Sequence, residues 1–225
     1  MGAIIILVKL GFWQVERGAE KQHIEAQLEL RARLPVQRLS ALNASPVIDS
    51  YTGIKVSASL TPVADRYLLL DNQTFDGQVG YLAYQLMQTK DGQYVLLEVG
   101  FVSALASRQV LPDVDWLVSS SHYEGRLYQR QRNPLSYQLQ IEEGKVARIQ
   151  NLNLTELENL WHIELLPYLF QPQQADWPYA QPWQPVPLAS TRHYGYAIQW
   201  FGLAIALLCL SLWAWIQFVV RNRDD

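Results

Sequence analysis

Apolar residues fill the chain from Tyr194 to Val220 without one charged side chain among them. At about 1.5 Å of rise per residue, such a run is long enough to cross a hydrocarbon layer of about 30 Å. Tyr194, Tyr196 and Trp200 gather at one end, and Trp213 and Trp215 near the other, as interfacial aromatic belts do. The pattern predicts a transmembrane helix over 194–220, with Arg221 and Arg223 opening a short tail over 221–225. A second apolar stretch, Ala3 to Val8, lies within residues 1–12. Twelve residues reach only about 18 Å as a helix, so this segment is expected to be part of a first transmembrane helix that starts upstream.

From Trp13 to Arg33 the spacing is helical, with Val15, Ala19, Ile24, Leu28 and Leu30 as the apolar stripe and Pro35 as the stop. This predicts a helical connector over 13–36. From Tyr51 the period becomes two: Ile54, Val56, Ala58 and Leu60 alternate with Lys55, Ser57 and Ser59. Further strands are expected at Tyr67–Leu70, Val79–Met87, Tyr94–Val99, Gly125–Gln129 and Val146–Ile149. Turns at Asp76-Gly77, Asp91-Gly92 and Glu143-Gly144 separate them. Thr155 with Glu158 resembles a capping box, opening a helix with Leu157, Leu160, Trp161 and Leu165 on its apolar face, ended by Pro167. Gln171 to Pro187 is a Pro- and Trp-rich connector. The predicted fold class is an α+β membrane protein, in which a mainly antiparallel, barrel- or sandwich-like domain over 37–187 lies between two membrane helices.

Composition narrows the chemistry. A net charge of -3 and the absence of a basic stripe argue against nucleic-acid binding. The one cysteine, Cys209, lies in the apolar run, so neither an internal disulfide nor a thiolate metal cluster can form. No nucleophile elbow, phosphate loop or dinucleotide fingerprint is present, and the chain is read as a non-enzyme. His23, His122, His162 and His193 lack paired zinc-ligand spacing. His193 stands apart through its place at the lip of the membrane helix, with Ala197 and Trp200 four and seven residues along the same face. It reads either as an interfacial residue solvating the helix end or as an axial ligand to haem iron. A ligating imidazole also needs a hydrogen-bond partner on its other nitrogen, which could be a water, a backbone carbonyl or a first-helix residue such as Gln14. Gln199, and the pair Gly202 and Ala206, suit packing on a second helix.

Four stretches carry a resemblance. They are Gly11-Phe12-Trp13-Gln14 through Arg17 and Lys21, Leu70-Asp71-Asn72-Gln73-Thr74-Phe75-Asp76-Gly77-Gln78-Val79-Gly80-Tyr81, Tyr94 to Val102, and His193-Tyr194-Gly195-Tyr196-Ala197-Ile198-Gln199-Trp200-Phe201. In order and spacing the chain resembles the Surfeit locus protein 1 family of cytochrome c oxidase assembly factors, as a divergent bacterial member. Gln73 stands where that family usually has arginine, and Glu98-Val99-Gly100-Phe101 where it has Asn-Arg-Gly-Trp. The resemblance implies two helices in the bacterial inner membrane and the central domain on its periplasmic side. It also implies haem A as a transient cofactor, delivered to oxidase subunit I, with haem A synthase as a second partner. His193 matches the proposed iron ligand, and Ala197, Gln199 and Trp200 complete the implied cofactor-binding set. The alternative is a protein-only chaperone that holds nascent subunit I without haem.

Overall fold

Alternation of side chains through Leu68, Leu69 and Leu70 leaves all three buried, which a strand achieves only when both of its faces are covered. A computed structural model describes residues 2–43, 50–130, 138–142, 144–186 and 188–222. Glu143 of the predicted turn, Pro187 of the connector and the tail beyond Asn222 lie outside them. The chain divides into two compact units, Arg31–Pro185 and Met1–Leu30 with Val186–Asp225.

The larger unit is built on β2 (Lys55–Phe75), which joins two strands that the sequence presents separately. Its first part pairs antiparallel with β5 (Ser121–Tyr128), Lys55 opposite Arg126, and its later part with β3 (Gln78–Thr89), Leu70 opposite Leu82. Register shifts between Pro62 and Tyr67 and between Leu70 and Gln73, with Asp65 and Asn72 at positive φ, let one strand serve both neighbours. β3 and β4 (Tyr94–Ser103) pair antiparallel as a hairpin across the expected Asp91-Gly92 turn. Between β2 and β3, Asp76 and Gly77 both have positive φ, as a two-residue hairpin turn of the primed type requires.

β7 (Leu165–Pro172) has no counterpart among the expected strands, because Pro167 reads as a helix stop. It lies parallel to β4 and antiparallel to β5, so β2–β3–β4–β7–β5 closes back on β2. The sheet is therefore mixed. The antiparallel expectation holds for β2, β3, β4 and β5. Parallel pairings join β7 to β4, and also bring β1 (Gln37–Arg38) and β6 (Ala147–Ile149) onto β2. A five-residue helix, α2 (Leu39–Asn43), follows β1. Between β6 and β7 runs α3 (Leu154–Trp161). Its cap is Asn153, whose side chain accepts from the Glu156 amide, so Thr155 lies within the first turn instead of capping it. His162, at φ 54°, ends the helix ahead of Pro167. Glu158 instead reaches forward and accepts from the Leu165 amide at 2.9 Å.

Side chains from the closed sheet feed two apolar clusters. Leu60, Leu69, Tyr81, Met87 and Leu97 lie in one, and Leu68, Leu70, Leu82, Leu86 and Leu157 in the other. Full burial of each such side chain contributes about 1.5–3 kcal/mol. The Pro-rich connector belongs to this unit up to Pro185 and acts as a strap over β4. Phe101 donates its amide to Ala180 at 2.7 Å, and the Trp177 indole donates to the Val99 carbonyl at 2.7 Å. Gly100 sits beneath it at φ 137°, and a Cβ there would lie 2.6 Å from the Tyr179 Cβ. That close approach is the backbone reason for glycine at this position.

One carboxylate is sealed inside the barrel. Glu98 is fully buried, and each oxygen accepts a hydrogen bond, one from the Tyr128 hydroxyl and one from the Gln171 amide at 2.8 Å. Since Tyr128 commits its proton to Glu98, Tyr84 must donate to Tyr128, and Arg130 in turn donates to Tyr84 at 3.0 Å. From the other side Arg126 donates to Gln171 at 2.6 Å. Arg130 also donates to Gln73 at 3.2 Å, so a guanidinium does reach the place where the resemblance leads one to expect arginine. Burial raises the Glu98 carboxyl above its ordinary value of 4.5, against the lowering effect of its donors, and pushes Tyr84 up to about 12.

Glu98 thus binds its proton more tightly folded than unfolded, and its contribution to stability falls as pH rises from 4.5 through the raised folded value. Tyr128→Phe removes one donor from the ionised form. It is expected to cost about 1.5–3 kcal/mol at pH 8 and less at pH 5, read by denaturant unfolding of the purified protein in detergent.

Candidate functional site

The smaller unit consists of two long helices, α1 (Gly2–Arg33, through Leu30 in this unit) and α4 (Ser190–Arg221). α1 runs without interruption through the predicted membrane segment 1–12 and through nearly all of the connector 13–36. α4 is long and apolar enough to cross a membrane, and it is the one helix among the described residues that meets both conditions.

The helices are antiparallel, and glycine decides where they meet. A Cβ at Gly11 would lie 2.6 Å from the Phe201 ring, and one at Gly18 would lie 2.9 Å from the Tyr194 ring. On α4 the buried residues are Ser190, His193, Ala197 and Ala204, a stripe with the three-, four- and seven-residue spacing of a helix–helix seam. The predicted contact pair, Gly202 with Ala206, lies on the outer side: both are exposed, and a Cβ at Gly202 would meet nothing within 4 Å. On α1 the predicted apolar stripe is largely exposed. Its Val15 is 38% and its Leu30 65% exposed, and Ile24 and Leu28 are only half-buried. Glycines and polar side chains of α1 touch α4, with Phe12 beside them.

Those polar side chains form three rungs. Glu25 accepts from the Ser190 amide at 2.9 Å and from its hydroxyl at 2.6 Å. Both residues stand beyond the apolar segments 1–12 and 194–220. Ala189, at the cap position, offers no side-chain acceptor, so a carboxylate from the other helix satisfies one of the free amides at the α4 N-terminus. The Ser190 hydroxyl and amide hold the Glu25 carboxyl below its ordinary value of 4.5. Its contribution is therefore complete above 4.5 and lost as pH falls through the lowered value. Tyr194 donates to Gln22 at 2.9 Å.

The third rung joins His193 to Gln14, with Nδ1 and Oε1 2.8 Å apart. His193 is 8% exposed, whereas His23, His122 and His162 are all exposed. His23 is bonded to Gln27, His122 lies 3.4 Å from Ser59, and His162 ends α3. Of the side chains named with His193, Ala197 and Trp200 follow it along one face of α4 and Gln199 does not. Ala197 is 3% exposed in the seam, Trp200 is half-buried, and Gln199 is exposed on the outer side. Gln14 is thus the partner among those the sequence allows, and its place between Gly11 and Gly18 explains why it reaches. Gln22 and Glu25 have no forewarning in the hydrophobic pattern. Their signal is a helical spacing from the two glycines, with Gln22 four and Glu25 seven residues past Gly18.

Among the described residues no three His, Cys, Asp or Glu side chains gather as a metal cluster. Two clefts, about 300 Å³ beside Arg130 and Asn153 and about 410 Å³ beside Arg38 and His122, belong to the barrel unit, whereas His193 belongs to the helical one.

A protein-family model described as the SURF1 family matches residues 1–205. The chain belongs to the SURF1 family. Members of this family are known for cytochrome oxidase assembly. A SURF1-like protein of Rickettsia felis is 26% identical over 212 residues, covering 91% of this chain and 90% of that protein. The family match contains both helices' contact residues, from Gly11 and Gln14 to His193 and Ala204.

Close approach at Gly18 can be tested in this SURF1 member directly. Gly18→Leu should push the helices apart, cost about 1–3 kcal/mol of thermal stability in detergent, and open the Gln14–His193 rung. The melting temperature in detergent reads this loss, and a Gly18→Leu protein that unfolds at the native temperature would contradict the close contact.

Proposed function

We propose that this SURF1 family member holds haem A through His193 and assists its delivery to subunit I of a haem-copper cytochrome c oxidase. The apolar parts of both helices lie in the bacterial inner membrane and the barrel unit lies on the periplasmic side. The family membership supports the assembly role. The orientation rests on Arg221 and Arg223 after the apolar run, set against Arg192 before it.

The observation that carries the haem reading is the His193–Gln14 rung. An axial ligand needs an imidazole with one nitrogen bonded to an acceptor and the other left with its lone pair, and an amide oxygen on Nδ1 meets that need. Among the described residues His193 has no companion metal ligands, so it would suffice to hold an iron that arrives already bound in a macrocycle and would not suffice for a bare metal ion. When bound, haem A would supply the redox centre that the oxidase requires. The protein's own part is to present Nε2, to keep the ring fixed against α1, and to offer an apolar α4 surface on which an isoprenoid chain gains about 0.8 kcal/mol per buried CH₂. Trp200, half-buried two turns along, supplies a ring for stacking.

Detergent-purified protein from a host that makes haem A is expected to show a Soret band. His193→Ala should lose most of that band and lower the haem content of the oxidase, with protein level and membrane insertion nearly unchanged. Trp200→Ala should do the same to a smaller degree. If His193→Ala retains the full band and supports full oxidase assembly, the protein-only chaperone is the better account.

A further inference from the structure

We infer that Gln14 sets His193 as a ligand that can let go. This rests on the haem reading above and goes beyond it, because it assigns the tautomer and the donor strength of the imidazole to one residue of the other helix.

Gln14 Oε1 lies 2.8 Å from His193 Nδ1, and because an amide oxygen can only accept, this pairing assigns the proton to Nδ1. Nε2 is then the nitrogen with the free lone pair. Metal-bound histidines usually donate their second N–H to a carboxylate, a backbone carbonyl or water, and a carboxylate partner draws the proton and strengthens the imidazole as a donor. Here the partner is a neutral amide.

The α1 carboxylate that does reach α4, Glu25, lies about 16 Å further along the helix, where it accepts from Ser190. Among the described residues, Gln14 is the acceptor that the fold brings to His193. The effect is a fixed ring of ordinary donor strength. That suits a site which must hold an iron in one orientation and then surrender it, whereas a carboxylate in the same place would hold it harder. The seam around the pair is tight, with Gly18 and Ala197 buried beside it, so the amide has little freedom to turn away.

Two substitutions separate positioning from donor strength. Gln14→Glu keeps an acceptor of the same reach and adds charge. Gln14→Leu keeps the volume and removes the acceptor. Two readouts are needed, one of them independent of haem. The first is the ¹⁵N spectrum of ¹⁵N-histidine-labelled protein in detergent, with His193→Gln used to assign its signals. His193 should be in the Nδ1–H form in the native protein and in Gln14→Glu, and a mixture of tautomers in Gln14→Leu. The second is titration with hemin and the rate of its transfer to apomyoglobin. Gln14→Glu should bind roughly tenfold tighter and release more slowly, and Gln14→Leu should bind roughly tenfold weaker. An Nε2–H form in the native protein would overturn the inference, because the amide nitrogen would then be donating. Equal affinity and release for native protein and Gln14→Glu would overturn the claim about donor strength. If the native protein shows the Nδ1–H form, Gln14→Leu loses it, and none of the proteins takes up hemin, the tautomer assignment stands and the haem reading falls.

Discussion

Close approach of two helices at Gly11 and Gly18 is the constraint on which this molecule's chemistry depends. A hydrogen bond between side chains as short as Gln and His forms only when the backbones come near, and any side chain at either glycine would strike Phe201 or Tyr194. Pairing of this kind draws on small residues that let two backbones approach and on polar rungs across the gap. The seam contains both. Glu25, Gln22 and Gln14 each reach a residue of α4, and the T-shaped contact of Phe12 with Phe201, at 5.3 Å, continues the pairing into the apolar part. The rungs also fix register, since each places an acceptor opposite one donor.

The barrel unit obeys a different rule. Its apolar side chains fill two clusters of its own, and no buried side-chain nitrogen or oxygen among the described residues lacks a hydrogen-bond partner. A costly element is Glu98, an ionisable group held at the junction of β4, β5 and β7 by hydrogen bonds from Tyr128 and Gln171. Where the family pattern at 98–101 has a basic side chain, Glu98-Val99-Gly100-Phe101 has none, yet Arg126 and Arg130 bring positive charge to the Glu98 carboxylate from β5 and just beyond it. Gly100 remains because the strap lies on it.

Much of this is readable from period and punctuation. The two-residue alternation from Ile54 to Leu60 marks a strand, Asp76-Gly77 and Asp91-Gly92 mark turns, and the uncharged run after Tyr194 marks α4. What fails has physical causes. Pro167 hides β7 by reading as a helix stop, although Leu165 to Phe170 carries strand-forming residues on either side of it. Thr155 resembles a cap because its spacing to Glu158 fits one, but Asn153 stands two residues earlier and takes the role. Gly202 and Ala206 suit helix packing by their spacing but lie on the exposed side of α4, because small residues recur along apolar helices without marking the contact face. The actual seam, glycine and amide on one side and histidine and alanine on the other, has no hydrophobic signature. Position along the chain singles out His193 and allows Gln14 as one of several partners. Only the fold, by bringing Gly11 and Gly18 against α4, decides between them.

If the glycine contact positions His193, exchanging bulk across it should restore what one substitution destroys. The measurement is the haem content of oxidase assembled in cells carrying Gly18→Leu, Tyr194→Ala, or both. Gly18→Leu alone should lower it sharply. Adding Tyr194→Ala clears the ring that the introduced side chain would strike, and should return most of it. A double variant no better than Gly18→Leu alone would contradict the account.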